Sequence, residues 1–206
     1  MKKKTVALLL ALTLVVGGVI GGTVAYLTTS TNKVVNTFTV GDINITLTET
    51  KGPDGKDLAE GQAWSAKLTP GAQYTKNPVV GVTKGSEACW LFVKVKEGAS
   101  DYLDYTLNLK STPWTAYTVD SKGNTVSGVY YIPVDATTAM AGATWELLNG
   151  NKVTVKDSIV KGAAGANEVT MPAKGTTIEM TFQAAAVQSD NVSLDEAYDL
   201  ISGKFA

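Results

Sequence analysis

The 206-residue chain contains no histidine, no arginine and a single cysteine, Cys89. Each absence closes a class of function. Without histidine there is no Ser-His-Asp or Cys-His catalysis, and the commonest ligand of catalytic zinc is missing. Without arginine the chain lacks the residue best suited to bidentate contacts with phosphate and guanine. The net charge of −1 offers no compensating basic surface, so nucleic acid is not an expected partner. One cysteine cannot form an intrachain disulfide. No HExxH, GxSxG, P-loop or paired CxxC occurs, so no enzyme is read here and no cofactor or metal is expected.

The remaining chemistry-bearing residues have plain readings. The acidic pairs Asp54/Asp57, Asp101/Asp104 and Asp195/Asp199 read as surface charge in turns and on a helix face. Cys89 reads as a small buried hydrophobe. Trp64, Trp90, Trp114 and Trp145 read as core aromatics, with a glycan site as the alternative.

What is present begins with an apolar run. Lys2, Lys3 and Lys4 precede Val6 to Ile20, and Thr23-Val24-Ala25 follows. A positive start, an apolar core and small residues at −3 and −1 make the layout of a secretory signal cut between Ala25 and Tyr26. An uncleaved transmembrane helix is the alternative. Gly17-Gly18 and Gly21-Gly22 weaken it, and no charge follows closely to stop transfer. Loss of the three lysines leaves 15 basic against 19 acidic residues, a net charge near −4. A secreted location, in the extracellular matrix or at the cell surface, is therefore expected. No lipobox cysteine stands at the cut and no LPxTG-like signal ends the chain.

Three regions are expected: the signal peptide at 1–25, an extended segment at 26–36 and one domain at 37–206. The segment is rich in Thr, Ser and Asn, which favour extended or turn conformations and pack no core alone. As a strand it would span roughly 35 Å.

The domain alternates apolar and polar residues between Gly-rich turns, the pattern of an antiparallel sheet protein. Phe38 and Val40 change parity with Ile43, Ile45 and Leu47 across Gly41-Asp42, which suggests a bulge or bend. Pro78 to Thr83 reads as a short strand. Cys89, Leu91, Val93 and Val95 alternate with Trp90, Phe92, Lys94 and Lys96, as do Leu103, Tyr105, Leu107 and Leu109 with polar neighbours. Ser121-Lys122-Gly123-Asn124 predicts a hairpin, and Asn149-Gly150 suggests another, although Ala139 to Leu148 could form a helical turn. Ile178 to Ala186 is the longest clear strand. Ser193 and Glu196 form a capping box ahead of Ala197, Leu200 and Ile201, and Gly203 stops that helix. Eight or so strands predict an all-β, antiparallel, jelly-roll-like β-sandwich with a short C-terminal helix.

GGTVAYLTTSTNKVVNTFTVGDINITLTE resembles the N-terminus of the TasA/camelysin (CalY) family of exported biofilm-matrix proteins. The likeness lies in the glycine-rich signal end, the small residue at the cut, and N-T-F-x-x-G-x-x-x-I-x-L-T-E at Asn36 to Glu49. LTPGAQYTKNPVVGV resembles a further family segment, with Asn77 where Asp is usual. GSEACWLFVKVKE and IEMTFQAAAVQSDNVSLDEAYDLI resemble its central strand and its closing strand and helix. The middle, about residues 110–165, is less similar.

The resemblance implies a jelly-roll domain cleaved by a SipW-type signal peptidase, then a Gram-positive fibre subunit that polymerises with itself head to tail. The donor strand would be Tyr26, Leu27, Thr28, Thr29, Ser30, Thr31, Asn32, Lys33, Val34 and Val35, completing the sandwich of the next subunit. An accessory matrix protein is a further partner left open. Two alternatives stand beside it: a non-polymerising surface or accessory protein, and a camelysin-like metallopeptidase, disfavoured by the missing histidine.

Overall fold

The computed structural model describes residues 28–31, 42–59, 65–162 and 164–205, with side chains from residue 42 onward. The expected signal peptide, the cut between Ala25 and Tyr26, and the parity change at Gly41 lie outside them. Up to Ala116 the described residues form β1 (Thr28–Thr31), β2 (Ile45–Glu49), β3 (Gln73–Thr75), β4 (Pro78–Val82), β5 (Cys89–Lys96), β6 (Leu103–Asp104) and β7 (Thr115–Ala116). Beyond it follow β8 (Val129–Val134), α1 (Ala136–Ala141), β9 (Ala143–Glu146), β10 (Lys152–Val155), β11 (Ile159–Val160), β12 (Val169–Thr170), β13 (Thr181–Gln188) and α2 (Leu194–Ser202).

The largest sheet runs β1-β13-β5-β8-β7 and a second runs β2-β4-β9. A third runs β3-β10-β6, and β11 pairs with β12. All pairs except β11–β12 are antiparallel. The expected all-β sandwich with a short C-terminal helix is what folds.

The alternation of β5 explains the layers. Cys89, Leu91, Val93 and Val95 share one face with Ile132 and Val134 of β8 and Ala184 and Ala186 of β13. They bury against Ile43 and Ile45 and against Val80 and Val82 of β4. The opposite face carries Phe92, Ala185, Val187 and Val129, and α2 covers it with Ala197 and Ile201. Sequence alternation makes this outer face aromatic early and charged late. The helix lies over the aromatic part, so Phe92 is fully buried and Trp90 Nε1 donates to the Val192 carbonyl at 2.9 Å.

Helix α2 starts as its sequence dictates. Ser193 Oγ accepts from the Glu196 amide, and the Glu196 carboxylate accepts from the Ser193 amide. Gly203 is its C-cap with φ −70°, so it ends the helix without a left-handed turn. The hairpin at Ser121 to Asn124 forms. Asp120 Oδ1 accepts from the amides of Asn124 at 2.7 Å and Lys122 at 2.9 Å, and Val119 bridges Thr125. At its base Gly128 has φ +70°, and a Cβ there would collide with the Val95 carbonyl.

Three expectations need correction. Leu103 to Leu109 is strand only at Leu103–Asp104, and Asn108–Lys110 forms a 3-10 turn. Leu107 and Leu109 are nonetheless buried, so the alternation reported burial without a ladder. Asn149-Gly150 does not close a hairpin: β9 pairs with β4, while β10 pairs with β3 and β6. The sequence suggests a helical turn within Ala139 to Leu148, but the helix, α1, starts earlier, at Ala136, where its N-cap Asp135 accepts from the Thr138 amide at 2.8 Å.

Candidate functional site: the edge of the large sheet

Strand β13 is the centre of the candidate site. Ala184, Ala185, Ala186 and Val187 are each at most 1% exposed, because the core covers one face and α2 the other. Apolar residues on both parities mark a strand buried on both faces. Its edges then decide how it is completed. One edge pairs with β5 over the whole span from Thr181 to Gln188. The other pairs with β1: Thr28 with Val187, Thr29 with Ala186, Ser30 with Ala185 and Thr31 with Ala184. Strand β1 also adjoins α2 and β2. It therefore sits where the edge of the large sheet, the helix and the second sheet meet.

Of the residues expected to act as a donor strand, Thr28, Thr29, Ser30 and Thr31 are thus placed in a strand. Tyr26, Leu27, Asn32, Lys33, Val34 and Val35 lie outside the described residues. Sequence alone does not name the partner of that strand. Its signal is the run Ala184-Ala185-Ala186-Val187, where both parities are apolar or small.

The other residues singled out have structural surroundings. Lys56 Nζ lies 2.9 Å from Asp54, and this hydrogen bond holds the carboxyl below its ordinary range. Tyr117 donates to Asp195 Oδ1 at 2.7 Å, and Ser121 donates to Asp199 Oδ2 at 2.8 Å. Burial first, and then the bond to Asp195, pushes the Tyr117 hydroxyl up. Cys89 is fully buried, and desolvation pushes its thiol up to about 12. A thiol so placed is a poor nucleophile. Among the described residues, no group of three or more Cys, Asp or Glu side chains could hold a metal ion. No helix among them is long and apolar enough to cross a membrane.

Two tryptophans meet at a different edge. Trp114 and Trp145 pack edge to face, with ring centroids 6.3 Å apart and planes at 77°. Trp64 lies outside the described residues.

In comparisons with known proteins, no family model, curated protein or solved structure matches the chain.

Proposed function

We propose that the chain is a secreted structural subunit of extracellular biofilm-matrix fibres, of TasA/camelysin type and jelly-roll-like fold. It assembles head to tail when its N-terminal segment completes the sandwich of the next subunit. The observation that carries this reading is the β1–β13 pairing. A four-residue Thr/Ser strand closes the edge of a sheet whose adjacent strand is buried on both faces. Its contribution comes through backbone hydrogen bonds, which a second copy can supply in the same register. Exchange of one strand between copies joins different surfaces, so the contact does not close and a filament grows. A signal peptidase of SipW type removes residues 1–25 and frees the donor.

The same pairing is made within one chain, which favours a second reading. A self-complemented monomer would serve as a non-polymerising surface or accessory matrix protein. Light scattering and negative-stain microscopy of the chain from Tyr26 onward, beside a variant lacking Tyr26 to Val35, decide between them. Filaments from the intact chain alone are the expected result. Monomers from both overturn spontaneous polymerisation.

A further inference from the structure

Sheet order places β1 and β7 at opposite edges of the large sheet, and β2 and β9 at opposite edges of the second. Since β1 adjoins β2, the β7/β9 side is the far edge of the sandwich. A cleft of about 300 Å³ opens there. Its walls include Asn108, Ser111, Pro113, Trp114, Trp145 and Glu146. The 3-10 turn at Asn108–Lys110 leads the chain to Trp114. Trp145 comes from β9.

The polar groups are fixed, and most of their unused capacity is acceptor. Asn108 Nδ2 donates to the Glu146 carbonyl at 3.0 Å, which leaves its amide oxygen. Ser111 Oγ donates to the Asn108 carbonyl at 2.9 Å, which leaves its lone pairs. Glu146 Oε1 accepts from Asn151 Nδ2 at 3.1 Å, which leaves the second carboxylate oxygen. Beside them the half-buried Trp145 meets the buried Trp114 edge to face, so the Trp145 ring is the aromatic surface a ligand can reach. Among the described residues that line the cleft, Glu146 is the one charged residue, and no lysine joins it.

This composition selects a ligand. An anionic chain would meet a carboxylate with no cation to balance it. A wholly apolar segment would cover that carboxylate and the two acceptors without giving them donors. A pyranose supplies both needs. Its hydroxyls donate to acceptors around its rim, while its C–H face lies on an aromatic ring. We propose that this cleft binds an uncharged saccharide, a hexose or N-acetylhexosamine unit of a polysaccharide. The inference does not rest on the fibre reading, because the cleft lies away from β1.

The test titrates the chain from Tyr26 onward with cellopentaose, maltopentaose and chitopentaose, with alginate oligomers as the anionic counterpart. Calorimetry and intrinsic tryptophan fluorescence report binding. Saturable binding of at least one neutral pentasaccharide is expected, with affinity reduced at least about tenfold by Trp145→Ala. Glu146→Lys, at an exposed site, should give a comparable loss and guards against a Trp145 variant that fails to fold. Trp90→Phe, outside the cleft, should bind as the parent does. No neutral saccharide binding at millimolar concentration overturns the proposal. So does binding that survives Glu146→Lys, or binding of the alginate oligomers alone.

Discussion

Replacing Phe92 by alanine tests how the C-terminal helix holds the large sheet. Phe92 is fully buried. Its ring centroid lies 6.3 Å from Tyr117, at an interplanar angle of 90°, and 6.1 Å from both Tyr131 and Tyr198. Truncation removes the aromatic ring and leaves a void between β5 and α2, at a cost of about 3–5 kcal/mol. The whole domain is worth only about 5–15 kcal/mol. With a urea slope of about 2 kcal/mol per molar, the midpoint should fall by roughly 1.5–2.5 M. A double-mutant cycle with Tyr198→Ala should return a coupling of about 0.5–1.5 kcal/mol, since Tyr198 reaches Phe92 from the helix. Urea unfolding followed by tryptophan fluorescence and far-ultraviolet circular dichroism measures both. A loss below about 1.5 kcal/mol, or a coupling of zero, would refute the packing of α2 on Phe92. The result also bears on assembly, because α2 adjoins β1 and a loosened helix uncovers the edge that β1 completes.

Gly128→Ala should destabilise the fold by about 1–3 kcal/mol in the same assay, because φ is +70° and the new Cβ meets the Val95 carbonyl. Alkaline stability should depend on Tyr117. Its pKa is raised in the folded state by burial and by the bond to Asp195, so its contribution is present below the ordinary value near 10 and is lost as pH rises through the folded value. Tyr117→Phe should therefore flatten the fall in stability above about pH 10, and equal slopes for the two proteins would contradict the assignment. Cys89, with its thiol pushed up to about 12, should react with iodoacetamide at pH 8 only as the chain unfolds. Labelling rates measured against urea check this, and fast labelling of the native protein would place the thiol elsewhere.

Some elements could be read locally. The alternation of Cys89 to Lys96 is a strand of that span, β5. The capping box at Ser193 and Glu196 starts a helix at the next residue. Asp120 and Gly123 make the turn that their types favour. These are short-range outcomes of backbone sterics and side-chain hydrogen bonds. The same reasoning overextends where burial is supplied from afar. Leu107 and Leu109 are buried as their alternation requires. Yet the Asn108 amide bonds the Leu147 carbonyl, and the Asn149 amide bonds the Thr106 carbonyl. Those contacts satisfy the segment without a ladder. Strand β13 shows the converse, since its start at Thr181 rather than Ile178 is not marked by any change in alternation.

The candidate sites divide in the same way. Thr28 to Thr31 has strand-forming residues, but nothing local states that they lie beside Ala184 to Val187. The Trp114/Trp145 pair likewise joins a loop residue just before β7 to one in β9, strands of two different sheets. By itself, the sequence determined that the chain is an all-β protein without histidine chemistry and with a capped helix near its end. Periodicity, composition and turn chemistry are carried by neighbouring residues, so they survive without the fold. Tertiary structure decided which edge β1 completes, which face α2 covers and where the tryptophans meet. Strand pairing runs through backbone groups that every residue but proline carries alike, so partner and register follow from how the whole core packs.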